Sequence, residues 1–270
     1  MIGQKQLLER INREIDNDTF PRFCVITGPK GSGKKTLCQY IIGKLHTVGY
    51  EVGIKVDEIR AMINDAYTVS EPIVYLIQDA DTMSMTARNA LLKVVEEPPK
   101  NAYFIMTLQD LSNTLSTIRS RARAYSMDNY TVSEISEYAV ERYNSAFRDT
   151  LGYIRKSCNT PGDVDLLESF NVEQFYEYVQ LVVDNIAECE PANAFKSASK
   201  LAIKNDEGYD LTIFWKVFMS VCFDRLRSDW EKYSIGIKVT SKYLRQAERL
   251  GVNKQQLYDM WVLEIRSVWL

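Results

Sequence analysis

Three short runs of consecutive apolar residues mark the first half of the chain: Phe23-Cys24-Val25-Ile26-Thr27, Ile73-Val74-Tyr75-Leu76-Ile77 and Ala102-Tyr103-Phe104-Ile105-Met106-Thr107. Runs of this length read as strands. Apolarity that is continuous rather than alternating means that both faces are covered, as in a parallel sheet packed between helices. Between the runs, Lys34–Leu45, Val56–Ile63 and Thr86–Glu97 read as helices, the last stopped by Pro98-Pro99. The predicted class is an α/β module with a parallel sheet and helices on both faces.

After about residue 130 the strand signals fade. Thr131-Val132-Ser133-Glu134 and Asn171-Val172-Glu173-Gln174 each open a helix with a polar cap and an acidic first turn. Ile135, Tyr138, Ala139, Arg142 and Tyr143 then recur at helical spacing, and helical periodicity persists over Phe214–Leu226 and from Tyr243 to Leu270. The stripe Phe214, Trp215, Phe218, Val221, Cys222 and Phe223 reads as helix core. Thr160-Pro161-Gly162-Asp163 reads as a turn inside a small helical unit, and Glu190-Pro191-Ala192-Asn193 as a boundary between helices.

Composition adds exclusions. With 270 residues, 46% apolar and 26% charged, the chain is an ordinary globular sequence of two domains, or of one domain plus a helical appendage. The run Ile73–Ile77 is far short of the roughly 20 apolar residues that cross a bilayer. The N-terminal Met1-Ile2-Gly3-Gln4-Lys5 leads into a charged amphipathic segment with no secretory pattern, so the expected location is cytoplasmic and no membrane is involved. Five scattered cysteines with no C-x-x-C pair, and His46 as the single histidine, argue against zinc or a disulfide framework. The net charge of -3 argues against a chain that grips DNA alone. It is unevenly spread: residues 1–129 carry 16 basic and 15 acidic side chains, 130–195 carry 4 and 12, and 196–270 carry 13 and 9. An acidic middle thus masks a basic C-terminal part.

The most specific chemistry lies directly after the first strand and before a helix: Gly28-Pro29-Lys30-Gly31-Ser32-Gly33-Lys34-Lys35-Thr36. Glycines let consecutive backbone N–H groups turn toward phosphate oxygens, the helix N-terminus adds positive potential, and Lys34 is placed to reach outer phosphates. A merely tight strand-to-helix turn is the competing reading. One position departs from the pattern, because Lys35 stands where a hydroxyl would hold magnesium, and Thr36 lies about 100° further round the helix. The second strand ends in Gln78-Asp79-Ala80-Asp81. Phosphate-loop ATPases place a metal-holding Asp and a water-orienting Glu at the first two of these positions. Gln78 is a weaker magnesium ligand and Asp79 is shorter than Glu, so hydrolysis is expected to be slow or absent. Alternatively, Asp79 and Asp81 cap the next helix.

Asn89-Ala90-Leu91-Leu92-Lys93-Val94-Val95-Glu96-Glu97-Pro98-Pro99, then the strand Tyr103–Met106, then Thr117-Ile118-Arg119-Ser120-Arg121-Ala122-Arg123 resemble the AAA+ module of bacterial DNA polymerase III clamp-loader subunits. Ile2-Gly3-Gln4 is similar to the opening of that family. The resemblance covers residues 1 to about 165 by motif and the remainder by length and helicity. It is nearest to the delta-prime kind, which tolerates substitutions at both metal positions, and further from the ATP-hydrolysing gamma/tau kind. No four-cysteine zinc insert is present, which makes this a shortened version.

The resemblance implies an AAA+ module over 1–129, a helical lid over 130–168 and an all-α oligomerisation domain, a collar, over 169–270. It implies that ATP or ADP is the nucleotide, that magnesium binding is weakened, and that the first sensor position is Gln109. The lid's sensor arginine is replaced by acids at Asp163 and Asp165. Arg121 corresponds to the arginine finger that reaches a neighbouring subunit's nucleotide, with Ser120 holding its segment. Without the flanking motif, Arg119, Arg121 and Arg123 would read as a solvated basic turn. The implied partners are gamma/tau-like and delta-like subunits, the sliding clamp indirectly, and primer-template DNA through the assembled complex. Two functions follow: a clamp-loader subunit with a degenerate site and an arginine given in trans, or a working AAA+ motor in which Thr36, Asp79 and Asp81 recover a metal site. A phosphate-loop kinase is disfavoured because no acceptor site is visible.

Overall fold

The computed structural model describes residues 2–143, 151–196, 201, 209–247 and 252–270. It divides into two compact units, Met1–Tyr130 and Thr131–Leu270.

The first unit opens with helix α1 (Lys5–Asp16). Strand β1 (Phe23–Thr27) follows, then α2 (Lys34–Lys44), β2 (Val48–Val52), α3 (Val56–Ala66), β3 (Ile73–Ile77), α4 (Met85–Ala90), α5 (Leu92–Glu96), β4 (Ala102–Leu108), α6 (Ser116–Arg121) and β5 (Arg123–Ser126). All five strands are parallel, in the order β2-β3-β4-β1-β5. Alternate residues of the central strands feed two separate cores. Val25, Tyr75, Ile77, Phe104 and Met106 pack with Ile59, Met62 and Ile63 of α3 on one face. Cys24, Ile26, Val74, Leu76 and Ile105 pack with Ile11 of α1 and with Leu37 and Ile41 of α2 on the other. The continuous apolar runs have the predicted cause: each strand is covered twice.

Two strands were not expected, and both are sheet edges. Every residue of β2 but Val52 is exposed, and β5 buries only Tyr125 fully. An edge strand with open faces needs no apolar run. The helix expected over Thr86–Glu97 is two helices, because at Leu91 the N–H bonds to the carbonyl of Arg88, tightening the turn.

The second unit is helical: α7 (Val132–Tyr143), α8 (Leu151–Ser157), α9 (Pro161–Glu168), α10 (Val172–Asn185), α11 (Pro191–Lys196), α12 (Leu211–Arg225), α13 (Trp230–Ala247) and α14 (Lys254–Trp269). The helical reading from Tyr243 to Leu270 includes residues 248–251, which lie outside the described residues. Phe214, Trp215 and Phe218 of α12 are fully buried, and Phe218 meets Trp261 of α14 edge to face at 4.9 Å between ring centroids. Trp261 donates its indole N–H to Thr240 Oγ1 at 3.0 Å. Phe223, expected in this core, is exposed instead, because the buried stripe of α12 ends at Cys222. The segment expected as a turn at Thr160–Asp163 is the start of α9. Thr160 caps it, Pro161 occupies the first turn, and Asp163 completes a capping box. Asp163, which is buried, also pairs with the largely buried Lys216 of α12 at 2.6 Å.

Among the described residues, no helix is long and apolar enough to cross a membrane, and no cluster of three metal-ligating side chains occurs. The five cysteines are free thiols.

Candidate nucleotide site

The loop between β1 and α2 has the geometry of an anion cradle. Gly31 and Gly33 adopt left-handed φ values of 78° and 87°, which turn successive N–H groups to one side at the N-terminus of α2. A Cβ on Gly28 would lie 2.8 Å from Cβ of Met127 and 2.9 Å from Ser32 Oγ, so only glycine fits there. Lys34 is buried, and its Nζ donates to the carbonyls of Gly28 at 2.7 Å and Pro29 at 2.9 Å. Burial lowers its pKa, and the nearby charges of Asp79 and Asp81 work against that shift. Ser32 Oγ is buried without a hydrogen-bond partner. A buried hydroxyl left open in this way is costly unless a ligand or water satisfies it, and a phosphate oxygen at the loop would do so. Pro29, Lys30, Lys35 and Thr36 are exposed around the cradle.

The segment after β5 is tied to this loop. The side-chain amide of Gln4 donates to the carbonyl of Asp128 and accepts from its N–H, both at 2.8 Å. Two residues on, the hydroxyl of Tyr130 donates to the carbonyl of Ser32 at 2.8 Å. The residue that closes the Ile-Gly-Gln motif therefore fixes a segment that touches the loop.

The two metal positions do not form a metal site. Lys35 Nζ lies 2.7 Å from Glu51 Oε1 of β2, and Gln78, two residues beyond the Leu76 that pairs with Glu51, follows on the same face of the sheet. Lys35 first and Gln78 after it hold the Glu51 carboxyl below the ordinary carboxylate range. Magnesium asks for oxygen ligands in octahedral array, whereas this cluster offers an ammonium, a neutral amide and one carboxylate that is already paired with the ammonium. The residues present fit a phosphate and do not fit magnesium.

Asp79 sits in the left-handed region at φ 49°, and its N–H donates to Thr107 Oγ1 at 3.0 Å. That conformation is uncommon for a residue with a side chain and marks a fixed turn at the end of β3. Its carboxylate does not cap the short turn Ala80–Thr82. Asp81 accepts from the backbone N–H of Gln109 at 2.8 Å, which links the ends of β3 and β4, and α4 is capped by Ser84 rather than by either aspartate. Gln109, the expected first sensor position, thus lies beside the acidic turn.

The three arginines after α5 separate. Arg121, at the end of α6, is exposed, with Nη2 3.3 Å from Glu96 Oε1 and Nη1 3.4 Å from the carbonyl of Thr117. Arg123 lies 3.6 Å from Glu14, and Arg119 is exposed. Ser120 donates to the carbonyl of Thr117 and so secures only its own turn.

Glu51 was not anticipated as part of the site. Its signal was present: Val48, Tyr50 and Val52 alternate with Gly49 and Glu51, a strand pattern placed before α3 that would set Glu51 near the carboxyl end of the sheet.

The family model described as "DNA polymerase III, delta subunit" matches residues 42–131. The DNA polymerase III subunit gamma of Buchnera aphidicola subsp. Schizaphis graminum (strain Sg) is 27% identical over 169 residues, 51% of this chain and 47% of that protein. Subunit delta' of Escherichia coli (strain K12) is 30% identical over 149 residues, 50% of this chain and 43% of that protein. The chain therefore spans about half the length of these curated relatives. The crystal structure of a gamma-subunit-related protein from Thermotoga maritima matches 98% of this chain and all of its own, with a TM-score of 0.51 at 15% identity, a likeness of fold. In sequence this chain resembles clamp-loader subunits of DNA polymerase III, and in fold it is like the Thermotoga protein.

Proposed function

We propose that this chain serves as a delta-prime-like subunit of a clamp loader, helping a DNA polymerase III-type complex load its sliding clamp on primed DNA while hydrolysing little or no ATP itself. The observation that carries this reading is the Lys35–Glu51–Gln78 cluster, which puts an ammonium and an amide where hydrolysis needs a metal-binding hydroxyl and carboxylate. The loop Gly28–Thr36 binds ATP or ADP. Asp79 is the remnant of the catalytic acid and Gln109 stands at the first sensor position. Residues 130–168 act as the lid, and 169–270 join neighbouring gamma/tau-like and delta-like subunits. DNA is met through the assembly, in the cytoplasm.

Arg121 is the chain's contribution to catalysis elsewhere. A guanidinium presents a rigid fork of donors to developing phosphoryl charge. Its exposed position and its loose pairing with the exposed Glu96 suit a residue that exchanges one anion for another. The motor reading is favoured by one fact, the electrostatic reach of Asp79 and Asp81 to Lys34. Turnover decides between them. The purified chain with ATP and magnesium is expected to show no hydrolysis above that of Lys34→Ala, and turnover lost in that variant would favour the motor. In an assembly reconstituted with gamma/tau-like and delta-like subunits, Arg121→Ala is expected to lower ATPase activity at least about tenfold, a conservative floor beside the roughly 10³–10⁵ that one such residue supplies at the site it serves. An unchanged rate would overturn the role in trans.

A further inference from the structure

We infer that the phosphate loop takes a nucleotide polyphosphate without magnesium, with Lys35 supplying the charge that the metal would bring. The inference rests on the degenerate-site reading and adds to it a ligand state and the residue that makes that state favourable.

Four observations lead there. The loop offers the amides of two left-handed glycines at the start of the 11-residue helix α2, and beside them a buried hydroxyl, Ser32 Oγ, with no hydrogen-bond partner among the described residues. Anion binding is therefore built in. A cation is held where the metal would stand, because Lys35 occupies the first turn of α2, next to Lys34, and reaches Glu51 at 2.7 Å. That tether is easily released: Lys35 and Glu51 are both more than half exposed, and solvent screens such pairs until they contribute little. A multiply charged polyphosphate held against the loop is a stronger partner for the ammonium than one screened carboxylate.

The fourth observation concerns what Glu51 does once Lys35 leaves it. An unpaired carboxylate near the loop would repel phosphate. Gln78 follows Ile77, the sheet partner of Val52, on the same face as Glu51, and it helps hold that carboxyl low after the larger effect of Lys35. An amide can donate to that carboxylate where the aspartate usual at this position would only repel it. Gln78 is thus a positioning residue, keeping Glu51 turned toward the sheet edge while Lys35 moves to the phosphates. Lys35 and Gln78 are then one coupled substitution rather than two separate losses.

Calorimetry of the full chain with ATP and with ADP, in excess magnesium and in EDTA, tests this. The expected result is a Kd that agrees within about threefold between the two conditions, whereas a magnesium-dependent site would separate them by tenfold or more. Lys35→Ser is expected to weaken binding in EDTA by about tenfold, with an unchanged thermal melt. Lys35→Ser combined with Gln78→Asp restores a hydroxyl and a carboxylate, and its affinity should become magnesium-dependent. Magnesium tightening wild-type binding tenfold or more would overturn the inference, as would full affinity of Lys35→Ser in EDTA. Absence of nucleotide binding under both conditions would also overturn it. That outcome would leave the clamp-loader reading standing, since the latter fails separately on the Arg121→Ala assembly rate.

Discussion

Each unit draws a lysine largely out of solvent, Lys34 buried and Lys216 in greater part, and the two are satisfied in opposite ways. Lys216 of the helical unit faces a carboxylate, Asp163, at 2.6 Å, and that carboxylate also accepts from the backbone N–H groups of Asn159 and Thr160. Lys34 of the sheet unit is held by two carbonyls of its own loop, with acidic charge nearby at Asp79 and Asp81. Charges that neutralise one another close a network, so the first arrangement is architecture. Neutral carbonyls leave the ammonium's charge uncompensated at contact, so the second can exchange them for phosphate. Burial of a charged group is therefore weak information until its partners are named.

The sharpest way to break this comparison is at Asp163. Asp163→Ala removes one half of a capping box and leaves the largely buried Lys216 unpaired, which should destabilise the helical unit by about 3 kcal/mol. The four tryptophans, Trp215, Trp230, Trp261 and Trp269, all belong to that unit, so denaturant unfolding followed by their fluorescence reads it selectively. A shift below about 1 kcal/mol would mean that the pair is architecturally idle.

A smaller effect is expected at Asp210, which caps α12. Burial pushes its carboxyl pKa up, but hydrogen bonds from the Thr212 hydroxyl and from the N–H groups of Ile213 and Thr212 outweigh burial and hold it below the ordinary value. A depressed folded pKa contributes stability above the unfolded value of about 3.9, and that contribution is lost as pH falls through the folded value. Asp210→Ala should cost about 1 kcal/mol near pH 7, and the gap between variant and wild type should close on acidification below about pH 4. A gap that is constant with pH would exclude the cap as its source.

The smallest change in stability is expected at Lys34. Lys34→Met keeps the volume and removes a desolvated charge, so stability should stay within about 1 kcal/mol of wild type while nucleotide binding by calorimetry is lost. Substantial unfolding would show that Lys34 is architectural after all, and would erase the contrast with Lys216.

Legibility in the sequence followed burial. β1, β3 and β4 were readable because coverage on both faces demands an unbroken apolar run, and the caps at Thr131 and Asn171 were readable because the orphan N–H groups of a helix start demand oxygen acceptors. β2 and β5 were not, since neither demand applies at a sheet edge. The same gap hid part of the site. The loop glycines and Lys34 declare their chemistry locally, whereas Glu51 acquires its meaning only when β2 pairs with β3 and brings it to Lys35 and Gln78. Lys35 and Gln78 read from sequence as two independent defects, and their common partner is visible only in three dimensions.

The position of β1 in the sheet has a consequence for biosynthesis. It lies between β4 and β5, and Phe23 pairs with Phe104, about 80 residues later. At a translation rate of roughly 5–20 residues per second, both edges of this five-residue apolar strand stay unpaired for about 4–16 s after it leaves the ribosome. During that interval the nascent chain presents a sticky segment with no native neighbour to shield it. The phosphate loop that follows it, rich in glycine and lysine, is the nearest polar stretch that could keep that segment from associating with other chains.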